Sequence, residues 1–270
     1  MRHAACLLLV AAACSDGAVT TSFPEGRWID LTHAFDADTI YWPTAGGFKH
    51  TVDSFGFTEK GYFYASYSYQ ASEHGGTHLD APIHFAKDRL TAADIPVEKL
   101  VGPAAVVDVK AACAANADYE VSVADLRAWE EAHGRLPKGA IVLLNTGYHR
   151  RWPDRAAYMG TDERGPDAVA KLHFPGLHPD AARWIVAERS VHAVGIDTPS
   201  IDTGQSTLFE SHVALFEANV PAFENVANLD ALPATGAYAV ALPMKIKNGS
   251  GGPLRIAAWM AGEDIVPSGQ

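Results

Sequence analysis

Residues 74–85 read His-Gly-Gly-Thr-His-Leu-Asp-Ala-Pro-Ile-His-Phe and place three imidazoles and a carboxylate within eleven positions. His74, His78, Asp80 and His84 share one parity, so on an extended backbone their side chains point to one face. Neutral imidazole with carboxylate is the donor set that suits zinc, manganese or iron(II). Gly75, Gly76 and Pro82 oppose a helix through the segment. The spacing therefore predicts a metal site on a strand or loop, not the helical HExxH arrangement. The competing reading is a solvated polar loop in a chain with 12 histidines. Three in one register around an aspartate are harder to assign to chance.

Two more candidates lie downstream. Helical periodicity puts Leu208, His212, Leu215 and Phe216 on one face. His212 then points to the core, either as a hydrogen-bonded core residue or as a ligand held by a buried helix. Glu224 follows among apolar neighbours, and a buried carboxylate needs a cation or a donor. His84, two residues past Pro82, is either a fourth ligand or a free acid/base, since imidazole can exchange protons near neutrality. Trp42, Phe63, Tyr64 and Phe85 are candidates for a flat apolar wall against an aryl substrate. Phe63 and Tyr64 face opposite sides of a regular strand, so both cannot serve. Asp197 and Asp202 are candidates to orient a ligand histidine from behind.

The elements that must position these groups alternate. Trp28–His33 and Tyr62–Tyr69 read as strands, the second from its aromatic and small residues. Val101–Val109 and Ala140–Leu144 are apolar runs of the kind found in parallel sheets. Ser122 with Asp125 caps a helix over Leu126–His133, closed by Gly134. Pro179–Arg189 reads as a helix, His192–Asp197 as a strand and Thr207–Asn219 as a helix. Tyr238–Met244 and Leu254–Met260 close the chain as strands joined by the glycine-rich turn at Gly249–Gly252. Residues 148–175 form an excursion long enough to expect function or internal structure. The interleaving predicts a single α/β domain with a mixed sheet.

The length of 270 residues, 48% of them hydrophobic and 20% charged, suits a soluble domain that buries a core without staples. A formal charge of -11 argues against a nucleic-acid partner. There is no GxSxG elbow, phosphate loop or dinucleotide fingerprint. Arg2 and the apolar run Ala4–Ala13 fit a signal peptide over 1–13, too short for a membrane span. Ala11-Ala-Ala-Cys14 resembles a lipoprotein cleavage box, with Cys14 as the lipid site and 14–25 as a tether. Cleavage without lipid is the alternative. The expected location is the periplasm, with membrane attachment only through Cys14 and, after Ser15, at the outer membrane. Cys113 is then unpaired, so no disulfide framework is expected.

The segment from His74 to Phe85 resembles the signature of the cyclase superfamily, which includes bacterial kynurenine formamidases and isatin hydrolases. Gly195-Ile-Asp-Thr-Pro-Ser-Ile-Asp202, His212, Glu224, Pro243-Met-Lys-Ile and Gly251-Gly-Pro-Leu-Arg255 resemble its later motifs. The likeness runs from about Trp28 to Met260, within a single cyclase-like hydrolase domain expected over residues 26–270. It implies a swivelling β/β/α-like fold. It implies His74, His78 and Asp80 as ligands of a first metal, His212 and Glu224 as ligands of a second with Asp80 bridging, and His84 as the acid/base. The excursion at 148–175, ending in Phe174-Pro-Gly-Leu177, is more like the longer isatin hydrolase branch. The resemblance implies one or two manganese or zinc ions, a small-molecule substrate with a C–N amide bond such as isatin, and a homo-oligomer, dimer or tetramer. N-formylkynurenine as substrate, or a non-catalytic exported metal- or ligand-binding lipoprotein, are the alternatives.

Overall fold

The computed structural model describes residues 25–262. The expected signal peptide, Cys14 and all but the last residue of the tether lie outside these residues. The strands are β1 (Gly26–Asp30), β2 (Lys49–Phe57), β3 (Phe63–Gln70), β4 (His78–Asp80), β5 (Val101–Asp108), β6 (Glu120–Val121), β7 (Ile141–Asn145), β8 (Gly176–Leu177), β9 (Ala193–Ile196), β10 (Ala222–Glu224), β11 (Ala237–Pro243) and β12 (Gly251–Ala261). The helices are α1 (Lys110–Ala115), α2 (Val123–His133), α3 (Arg155–Met159), α4 (Pro166–Val169), α5 (Pro179–Glu188) and α6 (Glu210–Glu217).

Eight strands form one mixed sheet in the order β1-β12-β11-β5-β7-β9-β10-β4. β5, β7, β9 and β10 run parallel, and the remaining pairings are antiparallel. β12 also pairs with β4 through Gly251, Gly252 and Pro253, which closes the sheet into a barrel-like wall. Alternation along the strands separates two cores. On β7, Ile141 and Leu143 point inside with Leu79, Phe223, Ala239 and Ile256. Val142 and Leu144 point out beneath α2, α5 and α6, against Leu126, Ile185, Leu215 and Phe216. This burial on both faces is why the parallel strands read as unbroken apolar runs.

The α/β mixed-sheet expectation agrees with this architecture, and so does the Ser122–Asp125 capping box on α2. Several boundaries shift by a residue or so, and three differences have a visible cause. β1 ends at Asp30, where Thr32 begins an isolated bridge to Val226 instead. The helix expected from Thr207 starts at Glu210, because Phe209 adopts a left-handed conformation with φ 51°. The glycine run expected to be all turn is half strand. A Cβ on Gly251 would stand 2.5 Å from the Leu79 carbonyl oxygen and 2.6 Å from His74, so only glycine lets β12 approach β4. The excursion at 148–175 holds α3 and α4 around a third buried cluster of Ile40, Tyr148, Tyr158, Met159, Leu172 and Phe174. Among the described residues no helix is long and apolar enough to cross a membrane.

Candidate metal and active site

β4 is three residues long and lies between β10 and β12. His78 and Asp80 alternate onto one face, as their parity requires. The antiparallel register sets Glu224 directly opposite His78, and opposed residues share a face. His74 and His84 arrive differently from the single extended face expected of them. The chain turns at Gly75 (φ 147°) and Gly76 (φ 58°) before the strand begins, and Pro82–His84 form a 3-10 turn after it. The four groups meet, but through a turn, a short strand and a second turn. His212 enters from α6, with Asp202 accepting from the backbone N–H groups of Ser211 and His212 at its first turn.

The result is two donor groups sharing one carboxylate: His74, His78 and Asp80, and Asp80, His212 and Glu224. His74 Nδ1 is 2.7 Å and His78 Nε2 3.0 Å from Asp80 Oδ1. His212 Nε2 is 3.2 Å from Asp80 Oδ2 and 3.1 Å from Glu224 Oε1. His84 belongs to neither group. Its ring lies over that of His74.

Hydrogen bonds behind the ligands fix which nitrogen is free. Glu73 Oε2 accepts from both the N–H and the hydroxyl of Ser250. Ser250 Oγ can then only accept from His74 Nε2–H, at 2.9 Å, which leaves Nδ1 as the lone pair facing Asp80. His78 donates Nδ1–H to the Gly76 carbonyl at 2.9 Å, leaving Nε2 free. That Nε2 is buried and has no hydrogen-bond partner, despite its nearness to two carboxylates. His212 donates Nδ1–H to Asp202, leaving Nε2 free. Three imidazoles thus turn toward Asp80 and Glu224 the ring nitrogen that is not engaged from behind, a lone pair once its proton has left. Imidazoles backed by carboxylate, carbonyl or hydroxyl acceptors and aimed at carboxylates fit a divalent metal.

Without an ion, the cluster balances its charge with protons. Burial disfavours charge on His78 and His212, but Asp80, Asp202 and Glu224 outweigh it and raise both imidazoles, His212 well above its ordinary value. Burial also works against an ionised Asp80, yet His74, His78 and His212 hold it well below the usual range. Glu224 is raised, by burial and then by repulsion from Asp80. His84 is pushed down to about 4, first by burial, with Asp80 pulling the other way and the imidazoles of His74, His212 and His78 adding to the decrease. At neutral pH it is therefore a free base, able to take a proton, rather than a group titrating near neutrality as its type alone predicts.

The cluster forms the floor of a cavity of about 280 Å³ walled by Ile40, Trp42, Phe85, Pro199 and Phe209, with His84 at its side. Trp42 and Phe85 line it as expected. Phe63 and Tyr64 do not. They lie on β3, which among the described residues pairs only with β2, outside the main sheet, and both side chains are half exposed. Asp202 backs His212 as the sequence led one to expect. Asp197 instead accepts from His149 and Thr146, away from the ligands. Glu73, Ser250, Asn225, Tyr158 and Phe209 were not anticipated. Phe209 and Asn225 share a left-handed backbone (φ 51° and 54°), a signal visible in the structure and not in the sequence.

The cyclase family model matches residues 29–203. The isatin hydrolase of Roseibium aggregatum is 34% identical over 195 residues, covering 69% of this chain and 71% of that protein. A kynurenine formamidase of Bacillus cereus is 28% identical over 230 residues, covering 85% of this chain and 95% of that protein. Among solved structures, isatin hydrolase A from Labrenzia aggregata bound to benzyl benzoate superposes with a TM-score of 0.78 at 35% identity, covering 87% of this chain and 94% of that one. With a buried His/Asp/Glu cluster at its centre and hydrolases as its relatives, the chain belongs to the cyclase family.

Proposed function

We propose that the chain hydrolyses the C–N bond of a cyclic aryl amide of the isatin type, using one or two divalent ions, manganese or zinc. The observation that carries this reading is the junction of an aromatic-walled cavity with the His/Asp/Glu cluster, with the neutral His84 at the boundary. Trp42, Phe85 and Phe209 offer ring faces and edges to an aryl group. A divalent ion held by His74, His78 and Asp80, with or without a second at His212 and Glu224, would supply acidified water, with a pKa of about 7, and Lewis acidity for the amide carbonyl. His84 takes a proton from the attacking water and returns one to the departing ring nitrogen. The C–N bond breaks, and the product carries a new carboxylate and a free aryl amine. Similarity to isatin hydrolases and an excursion at 148–175 support the cyclic substrate. The match to kynurenine formamidases over nearly their whole length supports a second reading, removal of the formyl group from N-formylkynurenine. The setting we propose is the periplasm, on the composition of residues 1–14.

The test is turnover by metal-reconstituted protein, wild type beside His84→Ala, with isatin and N-formylkynurenine in parallel. Opening of isatin by the wild type alone supports the proposal. Turnover of only the formamide moves the assignment to the second reading. Stoichiometric metal with neither substrate consumed excludes both named substrates and points to another cyclic substrate or to a binding protein.

A further inference from the structure

The excursion at 148–175 reaches a metal-ligand histidine through two side chains. Asn225, the residue after Glu224, has a left-handed backbone (φ 54°). Its Nδ2 donates to the Gly76 carbonyl at 2.7 Å, the same oxygen that accepts His78 Nδ1–H. Its Oδ1 accepts from the Tyr158 hydroxyl at 2.9 Å. Its backbone carbonyl accepts from Thr77 Oγ1 at 2.7 Å, and its backbone N–H donates to Thr198. Tyr158 is fully buried on α3, inside the excursion, and its hydroxyl also lies 3.0 Å from the Asp197 carbonyl.

Gly76 fixes the direction at one end: it offers only an acceptor, so both groups facing it must be donors. Asn225 therefore presents its NH₂ there, and its oxygen faces the Tyr158 hydroxyl, whose one proton is shared between Asn225 Oδ1 and the Asp197 carbonyl. Turned over, the amide would set oxygen against oxygen at Gly76 and place a new acceptor 3.5 Å from His78 Nδ1. That arrangement would pull the His78 ring out of the orientation that aims Nε2 at Asp80 and Glu224.

We infer that Tyr158 is a positioning residue for the metal site: acting through Asn225 and the Gly76 carbonyl, it holds His78 as the Nδ1–H tautomer with Nε2 available to a divalent cation. The inference rests on the metal reading of the site. It gives the excursion a part in cation binding that its distance in sequence from the ligands does not suggest. Support of this kind is worth about 10- to 100-fold in metal affinity when the immediate partner of a ligand is removed.

The experiment measures Zn²⁺ and Mn²⁺ affinity of the metal-free protein by chelator competition, in wild type, Asn225→Ala, Tyr158→Phe and Tyr148→Phe. Tyr148 is the control. It is buried in the same cluster and its hydroxyl donates to a backbone carbonyl, that of Ala117, with no link to a ligand. Asn225→Ala is expected to weaken binding about 10- to 100-fold, and Tyr158→Phe to weaken it by less in the same direction. Tyr148→Phe should lower only the unfolding temperature. Wild-type affinity in Tyr158→Phe, or an equal loss in Tyr148→Phe, overturns the inference while leaving the metal reading in place. A wild type that binds neither ion removes both.

Discussion

The imidazole of His84 lies flat against that of His74, ring centroids 3.8 Å apart and planes within 17°, yet only His74 turns a nitrogen to Asp80. Stacking places His84 beside the ligands without making it one of them. Its removal should therefore separate metal binding from turnover. In His84→Ala we expect metal affinity within about threefold of wild type, because each ligand keeps its own backing hydrogen bond. Turnover should fall by about 10²- to 10⁴-fold, the usual range for a general acid/base. Equal losses of metal and activity would show His84 to be a ligand.

Proton counting provides a second check. In the metal-free state Asp80, Asp202 and Glu224 hold His78 and His212 protonated beyond the ordinary histidine range, against the cost of burial. Their Nε2 lone pairs become available only when those protons leave. Metal uptake at pH 7 should release at least about one proton per protein, and affinity should climb as pH rises, because protons compete less. Calorimetric titration in two buffers of different ionisation enthalpy measures the release directly. Binding with no proton release would mean that neither imidazole serves as a ligand.

How much of this was legible in the sequence depends on distance along the chain. His78 and Asp80 could be placed because strand parity is local, and the α2 capping box because it spans four residues. His74 and His84 could be named but not placed, since two glycines and a proline set them off the strand. Glu224 needed the β10–β4 register, which depends on the closure of the sheet. Asn225, Tyr158 and Ser250 act through bonds that span 67 positions for Tyr158 with Asn225, 149 for Asn225 with Gly76 and 176 for Ser250 with His74, and no short spacing announces them. Phe63 and Tyr64 misled because aromatic composition does not say which sheet a strand joins.

Gly75 offers a test of the turn that delivers His74. Its φ of 147° disfavours any side chain, and a Cβ there would fall 2.1 Å from the Tyr41 ring. Tyr41 is itself buried and paired to Gly75 by an isolated bridge, so it has little room to move. Gly75→Ala should cost at least about 2 kcal/mol from backbone strain and overpacking together, and it should also weaken metal binding. Gly61→Ala is the matched control. It too has a positive φ, 83°, but nothing stands within 4 Å of the added carbon. Its cost should stay near about 1 kcal/mol, with metal affinity unchanged. Urea unfolding of the two variants decides this, and equal costs would show that the Tyr41 contact is soft.

The β2–β3 ribbon makes the last prediction. Opposed residues on the two strands share a face, and the irregularity at Asp53, between Val52 and Ser54, resets the parity. Val52, Phe55, Phe57, Phe63, Tyr67 and Tyr69 therefore fall on one face, while Thr51, Ser54, Ser66 and Ser68 fall on the other. Ring contacts of Phe55 with Phe63 at 5.3 Å and of Phe57 with Phe63 at 5.7 Å follow that face. The six side chains are 43–79% exposed in the single chain. At about 150–250 Å² for a full aromatic side chain the five aromatic ones alone offer roughly 440–730 Å², approaching the ~800 Å² that each partner buries in a standard interface. A two-stranded ribbon is marginal alone and an apolar face of this size needs cover. The exposed Leu242 and Met244 continue the surface, Met244 touching the Tyr69 hydroxyl at 3.5 Å. The expected cover is a second copy of the chain, giving a dimer or tetramer. Light scattering of the wild type should report that mass, and Phe55→Ser with Phe57→Ser should shift it toward the monomer. A wild-type monomer at micromolar concentration would rule this out and leave the ribbon free for another partner.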